Sequence, residues 1–255
     1  MHAGIRNGLV AAIAAVVITA GGAGVAASVT TGPVSGGPAG AGVCAAQASS
    51  ARTTETVASL RAFGDCEIQR RLATLTKLTS AVSAAKGLTT SDAAALNSKI
   101  GAATSELNTL KTAIDSQTTL PALKLHVVQI VTKARVYQLM GPQVRLTDAA
   151  DIVIALKPHF AGISAALAGR IATAQAKGKD VSAAQAALDA MNAAVANAAS
   201  LAAPLPAKLL ALTAADFQST AGPAALLSAR TNILKARDYL KAAAIDGRNV
   251  LADLK

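Results

Sequence analysis

The chain has 255 residues, 52% of them hydrophobic but only 2% aromatic, with no tryptophan and with alanine making up about a quarter of the whole. It carries 24 Lys+Arg against 14 Asp+Glu, a net charge of +10, with three histidines and two cysteines. So few aromatics and such scattered cations speak against a nucleic-acid binder, which needs stacking platforms and a dense basic face, and two cysteines cannot complete a four-cysteine zinc site.

Residues 1–27 have the three-part pattern of a secretory (Sec-type) signal peptide. Arg6 stands in a short leader, the apolar run GLVAAIAAVVITA follows from Gly8, and small residues lead to Val25-Ala26-Ala27. Cleavage is expected after Ala27, leaving a net charge of +9, because Arg6 is the single charged residue removed. The alternative is an uncleaved N-terminal anchor. Residues 28–43, SVTTGPVSGGPAGAGV, are a Gly/Pro/Ser/Thr linker that buries too little apolar surface to order itself.

From Cys44 onward the apolar residues recur at helical spacing. Alanine costs least of all residues in a helix, so the composition favours helices wherever that spacing holds. A preliminary helix is expected around Arg52–Phe63, then a stripe Ile68, Leu72, Leu75, Thr79, Val82. Ala93, Leu96, Ile100, Ala103, Leu107, Leu110 and Ile114 alternate steps of three and four, the spacing of a coiled-coil seam. A third stripe runs from Leu120 to Tyr137. A fourth runs from Leu146 to Leu167, with Pro158 inside it as a bend. A fifth, from Val181 to Leu212, keeps its alternation past Pro204 and Pro206, as one kinked helix would. The last runs from Leu226 to Leu254, interrupted by Arg230 and Arg237.

Breaks are expected at Lys86-Gly87, Gly141-Pro142, Lys177-Gly178 and Gly222-Pro223, with Pro121 in a first turn. Three segments pair a threonine with a following acid, as helix starts do: Thr89/Asp92, Thr147/Asp151 and Thr213/Asp216. Asp180 or Ser182 caps the fifth helix. The expected fold is all-α, an elongated antiparallel helical bundle with coiled-coil-like seams. It is either one continuous domain or two consecutive three-helix units, 44–141 and 142–255.

The chemistry-bearing residues are sparse. Export would place Cys44 and Cys66 in an oxidising compartment, where they are expected to pair and fold the intervening segment back as a hairpin arm. In that pairing Cys66 stands at a helix start, after Gly64-Asp65. His126 and His159 fall on different helices without an acid at metal-ligand spacing. Asp148 and Asp151 read as dipole partners of a helix start, not as a catalytic pair. No nucleophile elbow, phosphate loop or C-x-x-C is present. No catalytic, metal or cofactor-binding residue is expected, and no cofactor.

The stretch KARVYQLMGPQVRL, Lys133–Leu146, holds one of two tyrosines, three basic residues and a Gly-Pro pair. Tyr137 continues a stripe, so its ring is expected inside, and Gly141-Pro142 is expected to end the helix. As a site, Arg135, Tyr137 and Arg145 would contact an anion. IVTKARVYQLMGPQ, with LTKLTSAV, LTTSDAAALNSKIGAATSELNTLKTAID and AKGKDVSAAQAALDAM, resembles an uncharacterised family of secreted, Ala-rich helical proteins from GC-rich bacteria such as actinomycetes. The likeness covers most of Cys66–Lys255 and implies export and a helical fold, with no known activity, cofactor or functional residue.

These features lead to an exported, non-enzymatic helical scaffold or binding protein of the cell envelope or extracellular space. Its partners would be anionic cell-wall polymers or lipid headgroups, through weak electrostatic contacts, together with an unknown protein partner. A secreted hydrolase with a scattered site and a membrane-active helical protein are the alternatives.

Overall fold

The structure, a computed structural model, describes residues 42–255. The expected leader and nearly all of the linker lie outside the described residues. Among the described residues there are eight α-helices and no strand, so the fold is an all-α helical bundle. The helices are α1 (Ala45–Thr53), α2 (Val57–Ala84), α3 (Thr90–Ser116), α4 (Leu120–Thr132), α5 (Gly141–Gln175), α6 (Ser182–Ala202), α7 (Leu205–Ala211) and α8 (Ala221–Asp253). A π turn, Val136–Met140, joins α4 to α5, and a 3₁₀ turn, Ala215–Gln218, precedes α8.

The chain forms two compact units, residues 42–148 with Ala207–Leu227, and Ala149–Pro206 with Ser228–Lys255. The division falls between Asp148 and Ala149, not at 141/142, and the segment after Pro206 groups with the N-terminal half.

In the first unit α2, α3 and α4 form a three-helix bundle. Its core holds Ile68, Leu75, Val82, Leu96, Ile100, Leu107, Leu110, Ile114, Leu123 and Ile130. The expected α3 seam is therefore the buried face, with Ala93 and Ala103 at its margin. Arg61 donates to the Ile114 and Gln117 carbonyls at 3.3 and 2.5 Å, and Lys111 reaches Asp65 at 3.2 Å. These contacts make α2 and α3 antiparallel, and Arg61 supplies donors to the carbonyls at the end of α3. Gly64 lies inside α2. A Cβ there would stand 3.1 Å from Ile114 Cδ1 and 3.3 Å from Val127 Cγ2, so the missing side chain is what lets three helices approach.

The expected helix at Arg52–Phe63 is divided. α1 ends at Thr53, Glu55 takes a left-handed conformation (φ 41°), and Thr56 starts α2 in a reciprocal capping box with Ser59. Cys66 consequently sits within α2, not at a helix start.

The second unit packs the 149–175 part of α5 with α6 and residues 228–253 of α8. Val153, Phe160, Ile163, Leu167 and Ile171 face Leu188, Met191 and Val195 of α6 and Leu240 and Val250 of α8. Six alanines in this core, Ala184, Ala198, Ala202, Ala236, Ala243 and Ala244, are at most 1% exposed. α5 ends at the expected Gly178 (φ 75°) in a Schellman turn, Lys179 N–H to Ala174 at 3.2 Å and Gly178 N–H to Gln175 at 2.8 Å. Asp180 then accepts the Ser182 N–H at 2.9 Å and starts α6. The expected single kinked helix through Pro204 is two helices, α6 and α7, separated at Ala203-Pro204. Leu205 and Leu209, the stripe positions beyond the break, are both buried.

Candidate functional site

Cys44 and Cys66 form the expected disulfide (S–S 2.05 Å, Cα–Cα 5.8 Å). It folds α1 back along α2 through the turn at Glu55. A disulfide of this kind is a feature of an oxidising compartment.

The stretch around Tyr137 is built differently from the expectation. Gly141-Pro142 does not end a helix; it opens α5, where the missing proline N–H costs nothing. The break has moved upstream to Arg135, whose backbone is left-handed (φ 45°). The π turn follows, and its last bond runs from the Gly141 N–H back to the Val136 carbonyl. Val136, Leu139 and Met140 are buried, and Tyr137 is half-buried.

Arg135, Tyr137 and Arg145 occupy three separate settings. Arg135 Nη1 donates to Gln138 at 2.6 Å. Arg145 is exposed, its guanidinium lying over Gly141, about where a side chain there would project. Tyr137 is held from α2: the guanidinium carbons of Arg70 and Arg71 lie 4.9 and 5.4 Å from its ring centroid, and its hydroxyl is 3.5 Å from Thr74 Oγ1. Both arginines also bind Glu67 Oε2, Arg70 at 2.7 Å and Arg71 more closely. Arg71 is only 5% exposed and makes a second bond to the Glu67 carbonyl at 3.1 Å.

This is a cation–π and ion-pair knot that fastens α2 to the π turn. Burial pushes the Glu67 carboxyl upward, but the hydrogen bonds and charges of Arg71 and Arg70 outweigh it and hold the group below the usual carboxylate range. An acid tied down in this way is the opposite of what proton transfer near neutral pH requires.

A second polar group lines the start of α5. Gln143, 1% exposed, donates to the Leu209 and Leu212 carbonyls at 2.7 and 3.0 Å, and Lys99 also reaches Leu212 at 3.3 Å. Asp148 is raised above the usual range by burial, against the lowering effect of backbone N–H bonds from Gly87 and Leu88. It ties the α2–α3 loop to α5. Thr147 and Asp151 were expected at a helix start and instead lie inside α5, both buried. Of the other two threonine–acid pairs, Thr89 caps as expected, accepting the Asp92 N–H at 3.1 Å. At 213–216 the threonine hydroxyl takes no backbone N–H, and Asp216 instead accepts the Thr213 N–H at 2.7 Å beside a short 3₁₀ turn.

His126 contacts Gln129 at 3.4 Å and His159 is exposed. Among the described residues no three His, Cys, Asp or Glu side chains gather as a metal site would require. Leu120–Gln175 and Ser182–Ala211 are long and apolar enough to cross a membrane by length and composition. The first is interrupted at Arg135 and carries Lys124, Lys133, Arg145 and Lys157; the second is interrupted at Pro204.

Sequence reasoning missed Glu67, Arg70 and Arg71. Their spacing carries a signal, an acid followed at i+3 and i+4 by arginines, but it is a common surface pattern, and only Tyr137 turns it into a buried knot. No protein-family model, curated protein or solved structure matches the chain.

Proposed function

We propose that the chain is an exported, non-enzymatic helical scaffold or binding protein of the cell envelope or extracellular space, associating weakly with anionic envelope material. The observation that carries this reading is the placement of charge. The excess of cations lies at the surface: Arg52, Lys77, Lys86, Lys208, Lys157, Lys177, Lys235 and Arg237 are all exposed. The buried arginine of the Tyr137 knot is already paired, so it is structural. Single exposed pairs contribute little, below about 1 kcal/mol each, and only many together give useful association.

The disulfide supports export, as does the leader pattern of residues 1–27, cleaved after Ala27 in this reading. Membership of the secreted, Ala-rich family that the chain resembles belongs to the same proposal.

Cell fractionation with intact-mass analysis tests the address: the chain should be recovered outside the cytoplasm, starting at Ser28. Binding to isolated cell walls and anionic liposomes tests the partner. It should weaken steeply from 0.1 M to 1 M salt, as the screening length falls from about 10 to about 3 Å. Tight binding indifferent to salt would move the function to a specific protein partner.

A further inference from the structure

By spacing, Arg230 and Arg237 are expected to interrupt the last apolar stripe. In the structure they interrupt nothing. Ile233, Ala236, Leu240, Ala243, Ala244 and Val250 form the buried face of α8, and the arginines stand beside it. Arg230, Arg237, Lys241 and Arg248 are spaced seven, four and seven residues apart. At 3.6 residues per turn they fall within about 40° of one another, in a row about 27 Å long. Arg237, Lys241 and Arg248 are exposed and Arg230 is half-buried. The Arg248 Nε donates to the Ala244 carbonyl at 3.1 Å, which lays its stem along the helix.

Immediately outside this row are two large aliphatic side chains that the bundle does not cover, Leu234 (41% exposed) and Ile245 (52%). They lie about 40–60° further round the helix than the cations. Asp246 and Asp253 lie further still, away from the row. Asp238 pairs with Lys241 at 3.0 Å, a weak exposed ion pair that a headgroup phosphate can replace.

We propose that this outward face of α8 is a docking surface for an anionic lipid bilayer, with the helix lying parallel to the membrane plane. The inference rests on the envelope-binding reading above and specifies the site and the kind of anion. Four cations in line match a plane of phosphate headgroups, and three of them are arginines, whose planar fork can bind phosphate through two bonds. A dissolved polyanion would need the cations alone. The exposed aliphatic pair beside them is what a bilayer adds, because apolar side chains on a basic helix face enter the headgroup–acyl boundary.

The test is co-sedimentation with vesicles of phosphatidylcholine containing phosphatidylglycerol, with pure phosphatidylcholine as control, using proteins that share one N-terminus. The wild type should bind only the anionic vesicles. The variant R230Q/R237Q/K241Q/R248Q should lower partitioning by about tenfold or more at 0.1 M salt, with an unchanged circular-dichroism melt. A variant with the same loss of charge elsewhere, R52Q/K77Q/K86Q/K208Q, should lower it by much less. L234Q/I245Q should weaken vesicle binding and leave binding to soluble polyphosphate unaltered. Equal losses from the two charge variants would overturn the assignment to α8, and vesicle binding untouched by L234Q/I245Q would overturn the bilayer in favour of a polyanion. A wild type that binds neither vesicles nor walls sinks the envelope reading itself, whereas a binding wild type matched by its α8 charge variant sinks only this inference.

Discussion

Glu67→Gln is the most informative single change in the first unit. The glutamine keeps the shape of the side chain and one carbonyl acceptor but removes the charge that two guanidiniums share. Arg71 has a side chain 6% exposed and Arg70 one 15% exposed, so neither can turn fully to water without leaving Tyr137. Removing one partner of a buried ion pair costs about 3–5 kcal/mol, because the remaining charge stays desolvated. We expect about 3 kcal/mol, at the low end, since the amide oxygen retains one bond. With a urea slope of about 1–3 kcal/mol/M, the midpoint should fall by about 1–3 M. Replacing Glu67 and Arg71 with apolar side chains, E67L/R71M, should cost distinctly less than E67Q, because it removes the more deeply buried of the two stranded charges and leaves only Arg70, the more exposed one. The pH dependence follows from the lowered Glu67 group. A carboxyl whose folded pKa is depressed contributes stability that is fully present above the unfolded value, about 4.3. That stability is lost as pH falls through the folded value. Acid unfolding of the wild type should therefore be steeper than that of E67Q. Urea melts of E67Q within 0.5 kcal/mol of the wild type would refute the buried-knot account.

Three further outcomes are expected. Intact mass before and after reduction and alkylation should show one bridge, and C44S/C66S should lower stability by about 3 kcal/mol from the loss of a loop of this length; two thiols that alkylate without reduction would contradict it. At Gly222 an added Cβ would stand 2.6 Å from Phe217 Cδ2 and 3.0 Å from the Asp216 carbonyl oxygen, so Gly222→Ala should destabilise by about 1–3 kcal/mol, read as a lowered melting temperature. Arg135→Gly should be more stable than Arg135→Ala by about 1 kcal/mol, because only glycine takes a positive φ without strain; equal urea midpoints for the two would refute the strained turn.

The helices were legible because their signal is local. Leu96, Ile100, Leu107, Leu110 and Ile114 declare a face by spacing alone, and the structure buries that face. What could not be read depended on partners far along the chain. Arg71 looks like any cation in Gln69-Arg70-Arg71, and its burial is decided by Tyr137. Gly64-Asp65 looks like a helix start, yet Gly64 is an interior residue that makes room for Ile114 and Val127. Gly-Pro marks either end of a helix, since glycine stops one and proline begins one. At 141–142 the break lay upstream, where a left-handed arginine gave no sequence signal at all. Thr147 and Asp151 matched a cap pattern but became buried groups within α5.

The two units solve the problem of an aromatic-poor core in different ways, and this explains where a binding surface can be placed. A buried alanine offers one methyl group, worth only about 0.8 kcal/mol on transfer from water, so an alanine seam needs close helix approach to recover dispersion contacts. The second unit relies on that route, with Ala184, Ala198 and Ala202 on α6 set among Ala236, Ala243 and Ala244 on α8. The first unit adds directional fastenings: the Cys44–Cys66 bridge, Arg61 on the α3 carbonyls, Glu67 with its two arginines, and Gln143 on the carbonyls of Leu209 and Leu212. In the first unit several polar and charged side chains are thus committed to holding helices together. In the second, close packing of small residues does that work and leaves the outer row of α8 available to meet a partner. Its cations can be changed without touching the seam, which is why the surface and the fold can be tested separately.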